Sequence, residues 1–197
     1  MIYLDNAATT PVRREVLEAI WPHLAGGFGN PSSHHRVGEA AAATLAEARQ
    51  TVARVLGCRQ SEVVFTSGGT EAANLGVLGI ALGAPRGRHI ITTPTEHEAV
   101  LESCDHLRRL HGFEITQLAT DASGLVDPEE LRRVIRPGTT LVSVQYANNE
   151  VGTVQPIDEL AQVAHGAGAP FHTDAVQAAG WLPLDVAALG VDALGIS

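Results

Sequence analysis

Short runs dense in Val, Ile and Leu alternate along this chain with longer helical runs, and that alternation is what most limits the fold. The apolar runs fall near 62–66, 88–93, 113–119, 139–145, 170–173 and 192–196. None shows a clean apolar–polar alternation, the pattern expected when both faces of a sheet are covered. Helical stretches lie between most of them, at about 70–83, 97–110, 127–135 and 156–167. Strand–helix alternation of this kind implies an α/β fold: a three-layer, mostly parallel sheet flanked by helices. Ahead of it, Thr10-Pro11 opens a predicted helix to about Leu24, with proline in its first turn. A loop rich in Gly, Asn, Pro and Ser follows from Gly26 to His35, and then a long Ala-rich helix from about Val37 to Leu56, ended by Gly57.

Composition excludes several classes of partner. The formal charge is −9 and there is no basic run, which argues against a nucleic-acid or anionic-membrane surface. No apolar run approaches about 18 residues, and the N-terminus does not read as a signal peptide, so the cytoplasm is the expected location. Cys58 and Cys104 are too few and too scattered for a disulfide framework or a zinc site. His34 and His35 are adjacent and lack further ligands, so no metal is expected. With 45% apolar residues but only 4% aromatics, the core must be mostly Ala, Val, Leu and Ile.

The polar clusters fall at the carboxyl ends of the expected strands, where open α/β sheets bind their ligands. Ser67-Gly68-Gly69-Thr70 follows the run at 62–66 and opens a helix. Glu96-His97 follows 88–93, Asn148-Asn149-Glu150 follows 139–145, Asp174 and Gln177 follow 170–173, and Ser197 ends the last run. Two glycines before a helix let the backbone approach an anion that the helix N-terminus attracts; they equally suit a tight βα turn. A carboxylate at Asp174, at the end of a buried strand, calls for a cationic or donor partner such as a protonated pyridine nitrogen, or caps the segment after it. His97 can stack on a flat ring or shuttle protons, or serve as a helix-start residue. Cys104 reads as a core or boundary residue of its helix.

Together these segments resemble the N-terminal half of the cysteine desulfurases, within the class V aminotransferase-like, fold-type I enzymes that use pyridoxal 5′-phosphate (PLP). The resemblance rests on Tyr3-Leu4-Asp5-Asn6-Ala7-Ala8-Thr9-Thr10, Gly29-Asn30-Pro31-Ser32-Ser33, Thr66-Ser67-Gly68-Gly69-Thr70-Glu71, Glu96-His97, Asn148-Asn149-Glu150-Val151-Gly152 and His172-Thr173-Asp174-Ala175-Val176-Gln177, in order along the whole chain. It implies a large PLP-binding domain at 14–197, with residues 1–13 belonging to a small domain. It also implies roles: Gly69 and Thr70 in the phosphate cup, and Ser197 as a further phosphate ligand. His97 would be the catalytic residue that stacks on the ring and handles protons. Asn148 would lie near the ring hydroxyl and the substrate carboxylate, Asp174 at the pyridine nitrogen, and Gln177 at the phenolic oxygen. The implied substrate is L-cysteine, desulfurated to alanine with the sulfur carried on an enzyme cysteine for iron–sulfur or other sulfur-cofactor synthesis. The implied partners are a second copy of the chain in a homodimer and a sulfur-acceptor or scaffold protein.

In one respect the chain departs from that pattern: its 13 basic side chains are all Arg, and it contains no lysine. The resemblance places the Schiff-base Lys, the sulfur-accepting loop Cys and most of the small domain after residue 197; neither Cys58 nor Cys104 matches the loop Cys. The expectation is an incomplete domain, truncated before that lysine, and inactive as an isolated chain. Its alternatives are an inert truncated or assembly fragment, or another class V enzyme such as a selenocysteine lyase or an aminotransferase.

Overall fold

The computed structural model describes residues 2–197, which divide into two compact units, up to Val63 and from Val64 to Ser197. In the first unit, helix α1 (Arg14–Ala25) begins later than the sequence suggests. Pro11 lies outside it, because the chain stays extended through the N-cap residue Arg13. No residue of α1 is buried, and Leu17, Ile20, Trp21 and Leu24 are all exposed. Helix α2 (Arg36–Leu56) ends at Gly57 in the left-handed conformation (φ 67°), as the sequence indicates. Its start is fixed by the loop before it. The ring of His35 accepts a hydrogen bond from the Gly38 amide (3.2 Å), so His35 is the N-cap. A Cβ on Gly38 would lie 2.3 Å from the Ser33 carbonyl oxygen, which is why only glycine lets the Asn30–Ser33 turn sit on the helix.

The second unit is built on one five-stranded parallel sheet: β1 (His89–Thr92), β2 (Glu114–Gln117), β3 (Thr139–Ser143), β4 (Phe171–Asp174) and β5 (Ala193–Gly195). The strand order is β2-β1-β3-β4-β5. Every residue of β1, β3 and β4 is buried, so the lack of alternation in these segments reflects cover on both faces. Ile90 of β1 and Leu141 of β3 pack under α3 (Gly69–Gly83) and α4 (Glu98–His111), with Val77, Val100, Cys104 and Leu107. Helices α5 (Pro128–Val134), α6 (Ile157–Gly166) and the short α7 (Val186–Leu189), which the sequence reading did not anticipate, serve the opposite face. Right-handed crossovers require this: the chain leaves β1 outward to β2 and then returns to build β3, β4 and β5 on the other side.

One expected strand is absent. Residues 60–62 form a 3-10 turn, and 63–66 run on without a ladder partner; Val64 and Phe65 are exposed. A β-rich composition at this place is therefore not enough. A strand exists only where a neighbouring backbone satisfies its N–H and C=O groups, and this segment is paired with none of the five strands.

Inside α3, Gly76 is a packing requirement. A Cβ there would lie 2.6 Å from Cδ2 and 2.7 Å from Nε2 of the buried His172 ring. Alanine in an unconstrained helix interior would gain about 1 kcal/mol over glycine. Gly76→Ala is nevertheless expected to destabilise the chain by about 1–3 kcal/mol through overpacking, measured by denaturant unfolding.

Candidate functional site

The order β2-β1-β3 creates a topological switch point, because the connections leaving β1 and β3 turn to opposite faces of the sheet. Beyond the carboxyl ends of these strands lie most of the polar residues that the sequence singles out.

The Ser67–Thr70 turn enters α3, and Gly68 has φ 154°, a conformation that side chains rarely adopt. The Thr66 hydroxyl donates to the Gly68 carbonyl (3.1 Å), and the Glu71 carboxylate accepts from the Ser67 amide (2.5 Å). The first intrahelical acceptor of α3 is the Gly68 carbonyl, bonded by Ala72 N–H (3.0 Å), so the amides of Gly69, Thr70 and Glu71 lack intrahelical partners. At Gly69 a Cβ would meet Val176 Cγ2 at 2.9 Å and Ser197 Cβ at 3.5 Å. The open end of α3 therefore stands against the turn that follows β4 and against the end of β5. An expected strand at 62–66 is not what presents this turn; an extended segment does so.

Asp174 ends β4 rather than following it, and it is buried, with 6% of its surface exposed. Its Oδ1 accepts from the Val176 amide (3.0 Å), the same residue that flanks Gly69. Burial raises its pKa, and the Val176 hydrogen bond and the nearby charge of His97 oppose the rise. His97 is exposed and caps α4, its Nδ1 accepting from the Ala99 amide (3.1 Å). The helix-start geometry and proximity to Asp174 thus coexist, and neither of the two readings of this histidine displaces the other. Gln177 is half-buried in the turn after β4, and Ser197 is exposed two residues beyond β5, which ends at Gly195 before the expected end of the run.

Asn148 uses its side chain within its own loop. Its Oδ1 accepts from the amides of Glu150 (2.8 Å) and Val151 (2.9 Å), and its Nδ2 donates to the Thr95 carbonyl (2.9 Å) and to Gln145 Oε1 (3.3 Å). It ties the exit of β3 to the exit of β1. So does Glu96, to which the sequence reading gave no role: its Oε1 accepts from the Gln145 amide (2.7 Å) and from the Thr93 hydroxyl (2.9 Å). Burial pushes the Glu96 carboxyl up to about 8.

Below the rim, the side chains on β4 alternate, so that His172 faces α3 together with Asp174. His172 Nδ1 bonds the Ser143 hydroxyl (2.8 Å), and burial holds its pKa down at about 4. Among the described residues, three buried side-chain atoms have no hydrogen-bond partner: Thr92 Oγ1, Glu96 Oε2 and His172 Nε2. No group of three His, Cys, Asp or Glu among those residues is placed to hold a metal. Cys104 is buried in α4, as its sequence setting indicates, and burial pushes its thiol up to about 12.

These features suit PLP. The open first turn of α3, kept clear at Gly69, matches a phosphate, and the buried carboxylate of Asp174 matches the positive nitrogen of the ring. A parallel α/β sheet with an open helix end beside a buried acid is the arrangement of an α/β domain with its site at the carboxyl ends of the strands. The chain belongs to the aminotransferase class-V family, which matches residues 2–197. A cysteine desulfurase IscS of Dictyoglomus turgidum is 49% identical over 197 residues, which are 100% of this chain and 50% of that protein. The cysteine desulfurase IscS of Methanosarcina thermophila is 48% identical, with 48% of its length covered. Among solved structures, one described as SspA in complex with cysteine superposes with a TM-score of 0.95 at 40% identity, covering 100% of this chain and 57% of that one. A cysteine desulfurase from Thermococcus onnurineus NA1, in its apo form, gives 0.91 at 32% identity, with 100% of this chain and 49% of that chain covered. The chain thus spans about half the length of the curated relatives it matches.

His172 makes stability depend on acid. Its pKa is lowered from 6.5 to about 4, so the unfolded chain takes up a proton before the folded one does. The stabilisation is full above pH 6.5 and falls by on the order of 3 kcal/mol as the pH drops to about 4. His172→Asn should flatten that acid limb in denaturation curves taken across the interval.

Proposed function

We propose that this chain is the cofactor-binding portion of a PLP-dependent cysteine desulfurase. The observation that carries the reading is the closeness of Gly69 to Val176 and Ser197, which sets the amide-rich end of α3 beside the Asp174 carboxylate. The cysteine desulfurases among its relatives and the cysteine-bound neighbour support L-cysteine as the substrate.

When bound, PLP supplies an electron-accepting ring that takes up the electron pair left when a substrate α-carbon loses its proton. Gly69 and Thr70, with Ser197, hold the phosphate through main-chain and hydroxyl donors at the positive end of α3. Asp174 holds the ring nitrogen in its protonated form through a charge-assisted hydrogen bond. His97 would stack on the ring and handle protons, Asn148 would serve the ring hydroxyl and the substrate carboxylate, and Gln177 would donate to the phenolic oxygen. Residues 1–13 pack with the small domain, two copies form a homodimer, and a sulfur-acceptor or scaffold protein receives the sulfur. No helix among the described residues is long and apolar enough to cross a membrane, and the cytoplasm is the compartment that this reading implies.

A second reading, an inert fragment, is favoured for the isolated chain by one fact: it has no lysine amine to form a covalent link with PLP. We therefore expect these 197 residues to bind PLP weakly and without a covalent bond. Treatment with PLP and borohydride, followed by mass spectrometry of the peptides, should leave every internal residue unmodified, with any adduct confined to the Met1 α-amine. Sulfide release from L-cysteine should match that of free PLP until a fragment bearing the lysine and the loop cysteine is added. A stable mass increase at an internal residue, or turnover by the chain alone, would overturn this. Asp174→Ala should weaken PLP binding at least about tenfold, by loss of a charge-assisted bond, as read by fluorescence titration.

For the homodimer, light scattering should give twice the chain mass. A monodisperse monomer at high concentration would count against it.

A further inference from the structure

The most unusual group outside the proposed cofactor contacts is the Glu96 carboxyl. Only 7% of the residue is exposed, and the two carboxyl oxygens differ completely in their surroundings. Oε1 takes two donors, the Gln145 amide at 2.7 Å and the Thr93 hydroxyl at 2.9 Å. Oε2 is buried and has no partner. A dry oxygen without a donor is a poor place for half of a negative charge, whereas a carboxylic acid places its proton there at far smaller cost. The Thr93 bond is local to the exit of β1, where Glu96 itself lies, while the Gln145 amide leaves β3, so the Gln145 bond bridges the crevice at the switch point. The residue after Glu96 is His97, and the residue bonded to the Gln145 side chain is Asn148.

We propose that Glu96 is a positioning residue, an uncharged carboxyl clamp that fixes the exits of β1 and β3 to each other and so sets the orientation of His97 and Asn148. The inference rests on the cofactor reading only for the purpose of the clamp; the clamp itself is a property of the chain alone. The titratable groups on the surrounding elements are Asp174 and His172 on β4, His97 and Cys104 on α4, and Tyr146 after β3. Of these, Asp174 acts directly on Glu96 and raises its pKa further. Two neighbouring acids of which only one ionises leave the negative charge on the member that has a nearby imidazole to stabilise it. That member is Asp174, where a ring nitrogen needs the charge.

The sign of the pH effect follows. The Glu96 pKa rises from 4.5 to about 8 on folding, so its stabilisation is full below 4.5 and is lost as the pH climbs through 8. His172 works in the opposite direction between about 4 and 6.5, so Glu96 is best read above that interval.

The test compares the full chain with Glu96→Gln and Glu96→Ala. Glutamine keeps the Oε1 acceptor and cannot ionise. From pH 6.5 to 8 the melting temperature of the unaltered chain should fall, and that of E96Q should fall less. The infrared spectrum at neutral pH should carry a protonated-carboxyl stretch that E96Q lacks. Hydrogen exchange at the Gln145 amide should speed up in E96A and stay slow in E96Q. Parallel melting curves, or no lost infrared band, would show that Glu96 is ionised and overturn the neutral clamp. Equal exchange in all three chains would show that it clamps nothing. For the site itself, PLP affinity should drop about tenfold in E96A, the cost of one broken buried hydrogen-bond pair, and hold in E96Q. An unchanged affinity in E96A would remove the positioning role. If the unaltered chain binds no PLP, the cofactor reading fails, while the melting, infrared and exchange results still decide the clamp.

Discussion

Parallel pairing on both sides of β1 is the constraint from which the rest follows. Because β1 bonds β2 on one edge and β3 on the other, the chain must reverse its direction of sheet growth after β2. That reversal sends the loops after β1 and β3 to opposite faces and opens a crevice between them. It also buries β1, β3 and β4 completely, so polar chemistry has nowhere to gather except the carboxyl rim and the few sites where a polar side chain is bonded inside. The Glu96, Gln145, Thr93 and Asn148 network occupies that rim, and His172 with Ser143 lies beneath it. The glycines at 69 and 76 then read as two parts of one device. One keeps the mouth of α3 clear, and the other lets the helix axis come down onto the His172 ring.

Much of this was legible in the chain. Continuous burial left its trace in Ile90-Ile91 and Leu141-Val142, and the left-handed cap at Gly57 was written in the glycine itself. The failures share one physical cause. Val63-Val64-Phe65 has the composition of a strand, but strand formation is decided by a partner backbone, which no local property of the segment encodes. Pro11 was given a place in the first turn of α1, yet a proline tolerated in helices does not oblige one to begin. His35 was placed at the end of a loop and given no capping role, because its acceptor role depends on where the Gly38 amide points. In the site, the residues near strand ends could be named in advance, since sheet topology puts those ends on one rim. Glu96 was visible as a neighbour of His97, but its role was not, because a buried oxygen without a donor is a three-dimensional fact. The one available hint was an acidic residue set between the apolar β1 run and an amphipathic helix.

The family relation adds length to this picture. Relatives about twice as long match along the whole of this chain, which corresponds to about half of their length. The apolar side chains of α1 and the exposed Val64 and Phe65 are surfaces on which more protein can be laid.

The exposure of two particular residues has a practical side. The chain has two tryptophans, Trp21 on α1 and Trp181 after β4, with 69% and 83% of their surfaces accessible. Both indoles already sit in water in the native state, so their emission is nearly insensitive to melting of the sheet beneath them. The same emission should shift to the blue when any surface settles over either residue. The intrinsic fluorescence of this molecule is thus a built-in gauge of assembly rather than of folding.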